Sequence, residues 1–315
     1  MPTFKVKFKV LSSVITPFQS DTIWGHMAWA CYYLWGDKKC KDFINSHKDG
    51  NPTLVTNAYP EGFMPVPYIS LFSREQVERE IFKKVKKKKL MKIENFEKVK
   101  DTLSPGKLFE ILKQEIEEEK RNEKRKEKKL EIAEVAILRN KIDRLTFTTS
   151  GIGELFATDE IFYSDDSTMW FALKTEFFNK SELEAILKSI ELSGFGADAS
   201  VGRGKIKFIE ISEYNFPEAK DANAFISLSN FIPADGEFSQ FEDAWYKTFI
   251  KFPKVGGYYA LLNPFKKPLL FVEAGSVFKV KELKSHYGCL VENVHSDPDI
   301  VQYAYAFPLK VKMEV

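Results

Sequence analysis

Residues 194–205 read Gly-Phe-Gly-Ala-Asp-Ala-Ser-Val-Gly-Arg-Gly-Lys, four glycines interleaved with a hydroxyl and two cations. Positions without a Cβ let a ligand approach main-chain N–H groups, and Ser200, Arg203 and Lys205 add side-chain donors. Gly194, Gly196, Gly202 and Gly204, with those three side chains, are the first candidates for contact with a phosphodiester backbone. The plainer alternative is a tight helix-to-strand connection in which the glycines supply positive φ. Two nucleotide chemistries are excluded by context. Gly194–Ala199 fits G-x-G-x-x-A, but a dinucleotide fingerprint needs a strand before it and a helix after it, and here the order is reversed. A P-loop needs a glycine five positions before the Gly-Lys pair and Ser or Thr behind it, whereas Ile206 follows Lys205.

The remaining chemistry-bearing residues are sparse. His286, Cys289 and His295 stand close together, but a zinc site requires a fourth ligand at a recognised spacing, so no metal is expected. No G-x-S-x-G elbow supports serine hydrolysis. Cys31, Cys40 and Cys289 form no pairing motif and read as reduced thiols. No pattern requires a cofactor. His26 borders an apolar helix stripe and reads as a structural histidine on a helix flank.

The elements that carry these residues follow from periodicity. Phe4, Val6, Phe8 and Val10 alternate with lysines, a half-buried strand. Ser20-Asp21-Thr22 reads as an N-cap cluster before a helix over 21–35. Residues 50–70 are rich in Pro and Gly and read as a loop with one short strand. Strands are expected at 145–149, 168–174 and 205–211, with Gly151 and Gly153 in a loop after the first. Ser181 and Glu184 match a capping box. Leu183, Ile186, Leu187 and Ile190 behind it give a helix leading into the glycine loop. Strand, helix, strand, strand, helix, strand is the ferredoxin-like order. A weaker repeat follows, with strands at 224–228, 258–262, 269–274 and 303–311 and a helix over 239–250. The expected class is α+β, with two ferredoxin-like (RRM-like) domains at 1–215 and 216–315.

Residues 72–138 differ from their surroundings and read as a charged helical insertion, turning at Ser104-Pro105-Gly106. Between Arg74 and Arg144 lie 23 basic and 16 acidic residues, a local +7 in a chain of net +2. The run Lys83–Lys89 and the stretch Glu117–Lys129, which has no apolar residue, suit an exposed arm. The 315-residue chain is 44% hydrophobic with 28 Phe, enough for a core, and has neither a signal-peptide pattern nor a membrane-length apolar run. A cytoplasmic protein is the expectation.

Four segments resemble a known family. A helix followed by Gly194–Lys205 and a strand is similar to the glycine-rich loop signature of the RAMP superfamily of CRISPR proteins. Ser20-Asp21-Thr22-Ile23-Trp24-Gly25 resembles the start of the first helix in type III RAMP subunits. Arg139-Asn140-Lys141-Ile142-Asp143-Arg144, with Gly153-Glu154-Leu155-Phe156 behind it, resembles their R-N-x-I-D-R…G-x-L-F segment. Val301–Leu309 is similar to the end of the fourth subunit family of type III-A (Csm) effectors.

The resemblance implies two ferredoxin-like RAMP domains and a non-catalytic subunit that holds the 5′ handle of the crRNA. Its implied partners are the large polymerase-like subunit, a backbone RAMP subunit and, indirectly, target RNA. It implies RNA contact at Arg139, Asn140 and Arg144, near a β-hairpin thumb, and phosphate contact at the glycine loop. A salt bridge to a carboxylate such as that of Asp143 is the plainer alternative for Arg144. Some RAMP relatives cleave guide precursors with a histidine near the first helix, so His26 as general acid or base is the rival reading. A third is an adaptor whose charged arm, 83–129, binds an acidic protein.

Overall fold

The computed structural model describes residues 1–70, 79–124, 132–149, 155–164, 167–257 and 263–314. Gly151, Gly153, Glu154, the expected strand at 258–262 and the arm residues 71–78 and 125–131 lie outside them.

Alternation at the N-terminus produces β1 (Thr3–Val10), whose Phe4, Val6 and Phe8 are buried beneath the helices. α1 (Ser20–Lys48) begins near the expected position but runs further, bending at Gly36, where φ is 83°. The short β2 (Leu54–Val55) and β3 (Tyr59–Pro60) both pair with β8 (Thr168–Lys174), and α5 (Lys180–Ser193) leads through the glycine loop to β9 (Ile206–Glu213). The sheet order β2-β8-β1-β9 with α1 and α5 as crossovers is the ferredoxin-like arrangement. Its second strand is therefore β2, inside the segment read as a loop with one short strand, and not residues 145–149. Residues 145–149 form no strand, because Asp143 organises a turn there. Its Oδ1 accepts from Leu145 N–H at 2.7 Å, and Phe147 sits at φ 51°.

α5 buries Leu183, Ile186, Leu187 and Ile190 as the spacing requires. Its capping box lies two residues earlier than expected: Asn179 and Glu182 exchange side-chain-to-backbone bonds at 3.0 Å each. Asparagine caps as well as serine does, and it stands where the chain turns.

Between β3 and β8 lie β4 (Phe63–Pro65), α2 (Arg79–Lys87), β5 (Leu90–Lys92), α3 (Ile93–Glu97), α4 (Pro105–Lys124) and a long hairpin, β6 (Ile132–Asn140) with β7 (Leu155–Tyr163). From 79 to 124 the charged segment is thus mostly helical, interrupted by the short β5, and it ends in a strand. It is also anchored. Val85, Leu108, Phe109 and Leu112 join the main core, and Lys88 meets the buried Glu115 at 3.3 Å. Lys88 and Lys92 pair with Glu119 and Glu118 of α4, while Lys83, Lys84, Lys86, Lys87 and Lys89 of the run stay exposed.

The C-terminal part is built of β-strands. β10 (Ala224–Ser227), β11 (Phe241–Trp245), β14 (Val277–Val280) and β17 (Pro308–Val311) form one antiparallel sheet, ordered β11-β14-β10-β17. β12 (Thr248–Lys251) pairs with β13 (Leu269–Val272), and β15 (Tyr287–Val291) with β16 (Gln302–Ala306). The helix expected over 239–250 is instead β11 and β12 behind a short 3₁₀ turn, Phe238–Gln240. Phe241, Trp245 and Phe249 are better strand than helix formers, and aromatic stacking on Phe278 and Phe271 decides the matter. The class is α+β with antiparallel sheets. One apolar cluster reaches from Phe4 to Met313.

Candidate nucleic-acid interface

α5 ends at Gly194, whose φ of 80° swings the chain into the loop. The loop then folds back on itself and on the β1–α1 connection. Phe195 N–H donates to Gly204 O, Gly204 N–H to Ser13 O, Gly196 N–H to His26 Nε2 and Ala197 N–H to Thr16 Oγ1, all at 2.8–3.0 Å. Gly194 N–H reaches Ile190 O and Gly202 N–H reaches Ala199 O, while Arg203 and Lys205 N–H reach Asp198 O and Ser12 Oγ. The expectation of free glycine donors therefore needs correction: all four glycine N–H groups are already used within the protein. What the glycines supply is shape. A Cβ on Gly204 would sit 1.8 Å from Phe195 O and one on Gly196 2.6 Å from Thr16, and both positions have positive φ. Ser200, Gly202 and Lys205 are exposed on the rim, and Arg203 is half-buried.

The hairpin packs against this loop. Val14 and Ile161 exchange backbone bonds at its base. Glu160 of β7 turns inward with 1% exposure and meets three donors. Ser13 Oγ–H donates to Oε2, Arg139 Nη2 lies 2.6 Å from Oε1, and Arg203 Nε lies 2.8 Å from Oε2. Burial pushes this carboxyl upward, but the hydroxyl and the two guanidinium groups outweigh it and hold the pKa at about 2. Arg139 Nη1 also meets Asp198 of the loop, which sits in a left-handed conformation. The structure thus unites Arg139 and Arg203, which the sequence placed in separate motifs. Asn140 and Arg144 lie further along the hairpin and are exposed, as are Leu145 and Phe147 at its tip (91% and 82%). Glu160, Asp198 and Ser13 were not foreseen. The sole signal was two acids, one inside a β-rich run and one inside a basic loop.

His26 stacks on Phe195 (centroids 4.5 Å apart), and Gly196 N–H donates to its Nε2 at 2.9 Å. That bond requires an unprotonated Nε2, and burial pushes the pKa down to about 4. Its free nitrogen is thus Nδ1, carrying the proton. The other signature residues are structural. Gln19 is the α1 N-cap and makes no side-chain cap bond. Asp21 instead accepts from Lys251 Nζ and Gln302 Nε2, both at 2.7 Å. Tyr303 stacks on Trp24 and accepts from Val55 N–H at 3.0 Å. Burial raises the Cys31 thiol to about 12 and those of Cys40 and Cys289 to about 11. His295 bonds Asn263 O, and no group of three or more potential metal ligands occurs among the described residues.

A sheet ordered β2-β8-β1-β9, crossed by α1 and α5 with a glycine-rich loop behind α5, defines a ferredoxin-like α+β protein. The family model described as the RAMP superfamily matches residues 14–207, and the chain belongs to that superfamily. Its fold is similar over full length to that of chains in type III-A complexes. One is the Csm3-Csm4 subcomplex of the type III-A CRISPR-Cas interference complex, with TM-score 0.62 and 17% identity over 98% of this chain and 99% of that one. Two others are Csm1-Csm4 cassettes, one with AMPPNP (TM-score 0.61, 16% identity) and one with pppApA (0.59, 15%); both cover 100% of this chain and at least 99% of theirs. The shared chain has the Csm4 fold. No curated protein matches in sequence. No helix among the described residues is long and apolar enough to cross a membrane.

Proposed function

We propose that this protein is a non-catalytic crRNA-binding subunit of a type III-A CRISPR effector in the cytoplasm. It holds the repeat-derived 5′ handle and links the large subunit to a backbone RAMP subunit, meeting target RNA only through the guide. The observation that carries this reading is the full-length likeness to one fold found beside Csm1 in some assemblies and beside Csm3 in another. RNA would lie across the loop rim and the hairpin. Ser200, Arg203 and Lys205 meet phosphates there, with Gly194, Gly196, Gly202 and Gly204 shaping the approach. Arg139, Asn140 and Arg144 line the hairpin side, and the exposed Leu145 and Phe147 suit unstacked bases. His26 favours scaffolding over cleavage, since its Nε2 is occupied by a backbone donor.

The test is to purify the protein from its native host and sequence the RNA that accompanies it. Short RNAs sharing one constant repeat-derived 5′ end, with the large subunit present, are the expected result. RNA without a common 5′ end, or none, overturns it.

A further inference from the structure

Arg139 divides its guanidinium between two carboxylates of very different character. Glu160 is 1% exposed and also holds Arg203 and Ser13, so it is a fixed part of the interior. Asp198 is 41% exposed on its side chain and belongs to the loop rim. Its main chain carries the turn, accepting from Val201 and Arg203 N–H at 3.1 and 3.2 Å, while its carboxylate is engaged by Arg139. Charge accounting separates the two acids. Two guanidinium groups on one buried carboxylate leave a single positive charge, which Asp198 neutralises from the solvent side.

We propose that Asp198 occupies a single-phosphate subsite of the interface and leaves it when RNA binds, one phosphodiester monoanion replacing one carboxylate on Arg139. Glu160 is then the positioning residue that aims Arg139 and ties Arg203 to the same spot. This deepens the RNA-binding reading and rests on it. Arg139 donates to Asp198 through Nη1 alone, and a phosphate oxygen can replace one carboxylate oxygen on that N–H while Nη2 stays on Glu160, so the exchange needs no rebuilding of the site. Detaching Asp198 removes one of the two ties between loop and hairpin and leaves the other, Arg203 on Glu160, in place.

The test compares Asp198→Asn with Asp159→Asn in the full-length chain. Both remove one negative charge, and both acids are exposed, but Asp159 stands on β7 on the opposite face from Glu160. Asparagine tolerates the left-handed backbone of residue 198, so the turn survives. The probe is a labelled single-stranded RNA carrying the repeat-derived 5′ segment, titrated at several salt concentrations. D198N binds about two- to fivefold more tightly than wild type, the scale of a released exposed ion pair. D159N does not match that gain. Equal tightening in both variants, or none in D198N while the wild type binds, overturns the subsite. A wild-type chain that ignores this RNA instead counts against the RNA-binding reading itself.

Discussion

Gln302 Nε2–H donates to Asp21 Oδ2 at 2.7 Å across 281 residues of sequence. Asp21 opens the first helix and Gln302 opens β16, so the two outermost signature segments close on each other. Lys251 of β12 completes the arrangement on Oδ1 at 2.7 Å. The carboxylate is 6% exposed, and a buried charge keeps its place only when paired.

Removing that carboxylate strands its donors. Asp21→Ala is expected to cost about 3–5 kcal/mol, the loss typical of breaking a buried ion pair, and Asp21→Asn less. Urea denaturation of the purified chain measures both. A loss below 1 kcal/mol for the alanine variant would show that the clasp is not structural.

The loop glycines are not equivalent. A Cβ on Gly204 collides with Phe195 O, whereas Gly202 has nothing within 4 Å despite a φ of 89°. Gly204→Ala is expected to lose about 2–5 kcal/mol and Gly202→Ala about 1–2. Thermal melts should rank them in that order, and the reverse ranking would contradict the packing described.

His26→Ala should leave guide maturation unchanged, because the imidazole serves Gly196 N–H and no reacting oxygen. Its cost is in stability, about 1–3 kcal/mol for the orphaned donor. Sequencing of RNA ends in the variant strain checks the first point. Loss of cleavage with RNA binding retained would revive the nuclease reading.

Glu160 sets an acid limit on the hairpin. Its folded pKa of about 2 lies below the ordinary 4.5, so the folded state binds fewer protons than the unfolded one between those values. The stabilisation is complete above about 4.5 and is lost as pH falls toward 2. Hydrogen exchange of β6 and β7 amides should therefore quicken with acidification beyond the intrinsic pH effect. Glu160→Gln should remove that extra slope; a variant retaining it would mean that another group controls hairpin opening.

The arm and the loop make separable contributions. Lys83, Lys84, Lys86, Lys87 and Lys89 are exposed on or beside α2, whereas Lys88 is locked to Glu115, so Lys83, Lys86 and Lys87 are three of the exposed lysines to change. Their alanine substitution should flatten the salt dependence of RNA affinity, while Arg203→Ala with Lys205→Ala should lower guide retention more strongly. Filter binding across a salt series ranks them, and the opposite ranking would move the RNA site to the arm.

Most of the N-terminal sheet was readable because β1 alternates cleanly, β8 is a short continuous apolar run and α5 keeps 3.6-residue spacing, but its second strand was misplaced at 145–149. β2 was hidden: two residues, Leu54 and Val55, are too few for any period, and only pairing with Leu173 and Lys174 makes them a strand. The helix expected over 239–250 failed because Phe241, Trp245 and Phe249 belong to an aromatic run that sheet neighbours claim. In the site, Arg139 and Arg203 were legible as cations. Their shared carboxylate was not, since a lone Glu in a strand does not announce which way it faces. The glycines were read as donors when their work is to let Phe195, Thr16 and Ser13 come close.

The charged arm is sewn to the far end of the chain. Leu103 N–H donates to Lys312 O, Lys312 N–H to Lys100 O, and Glu314 N–H to Leu103 O, at 2.8–3.0 Å. These bonds join the turn before α4 to residues just beyond β17. A ribosome must therefore have released residue 312 before the turn beside Leu103 acquires its partners, however early α4 coils. Pairings of such sequence separation are slow to form, and until they do the arm's apolar face, Leu108 and Leu112, lacks part of its cover. The chain's most charged segment is thus among the last to settle, completing its packing only once residue 312 is free to pair with Leu103 and Lys100.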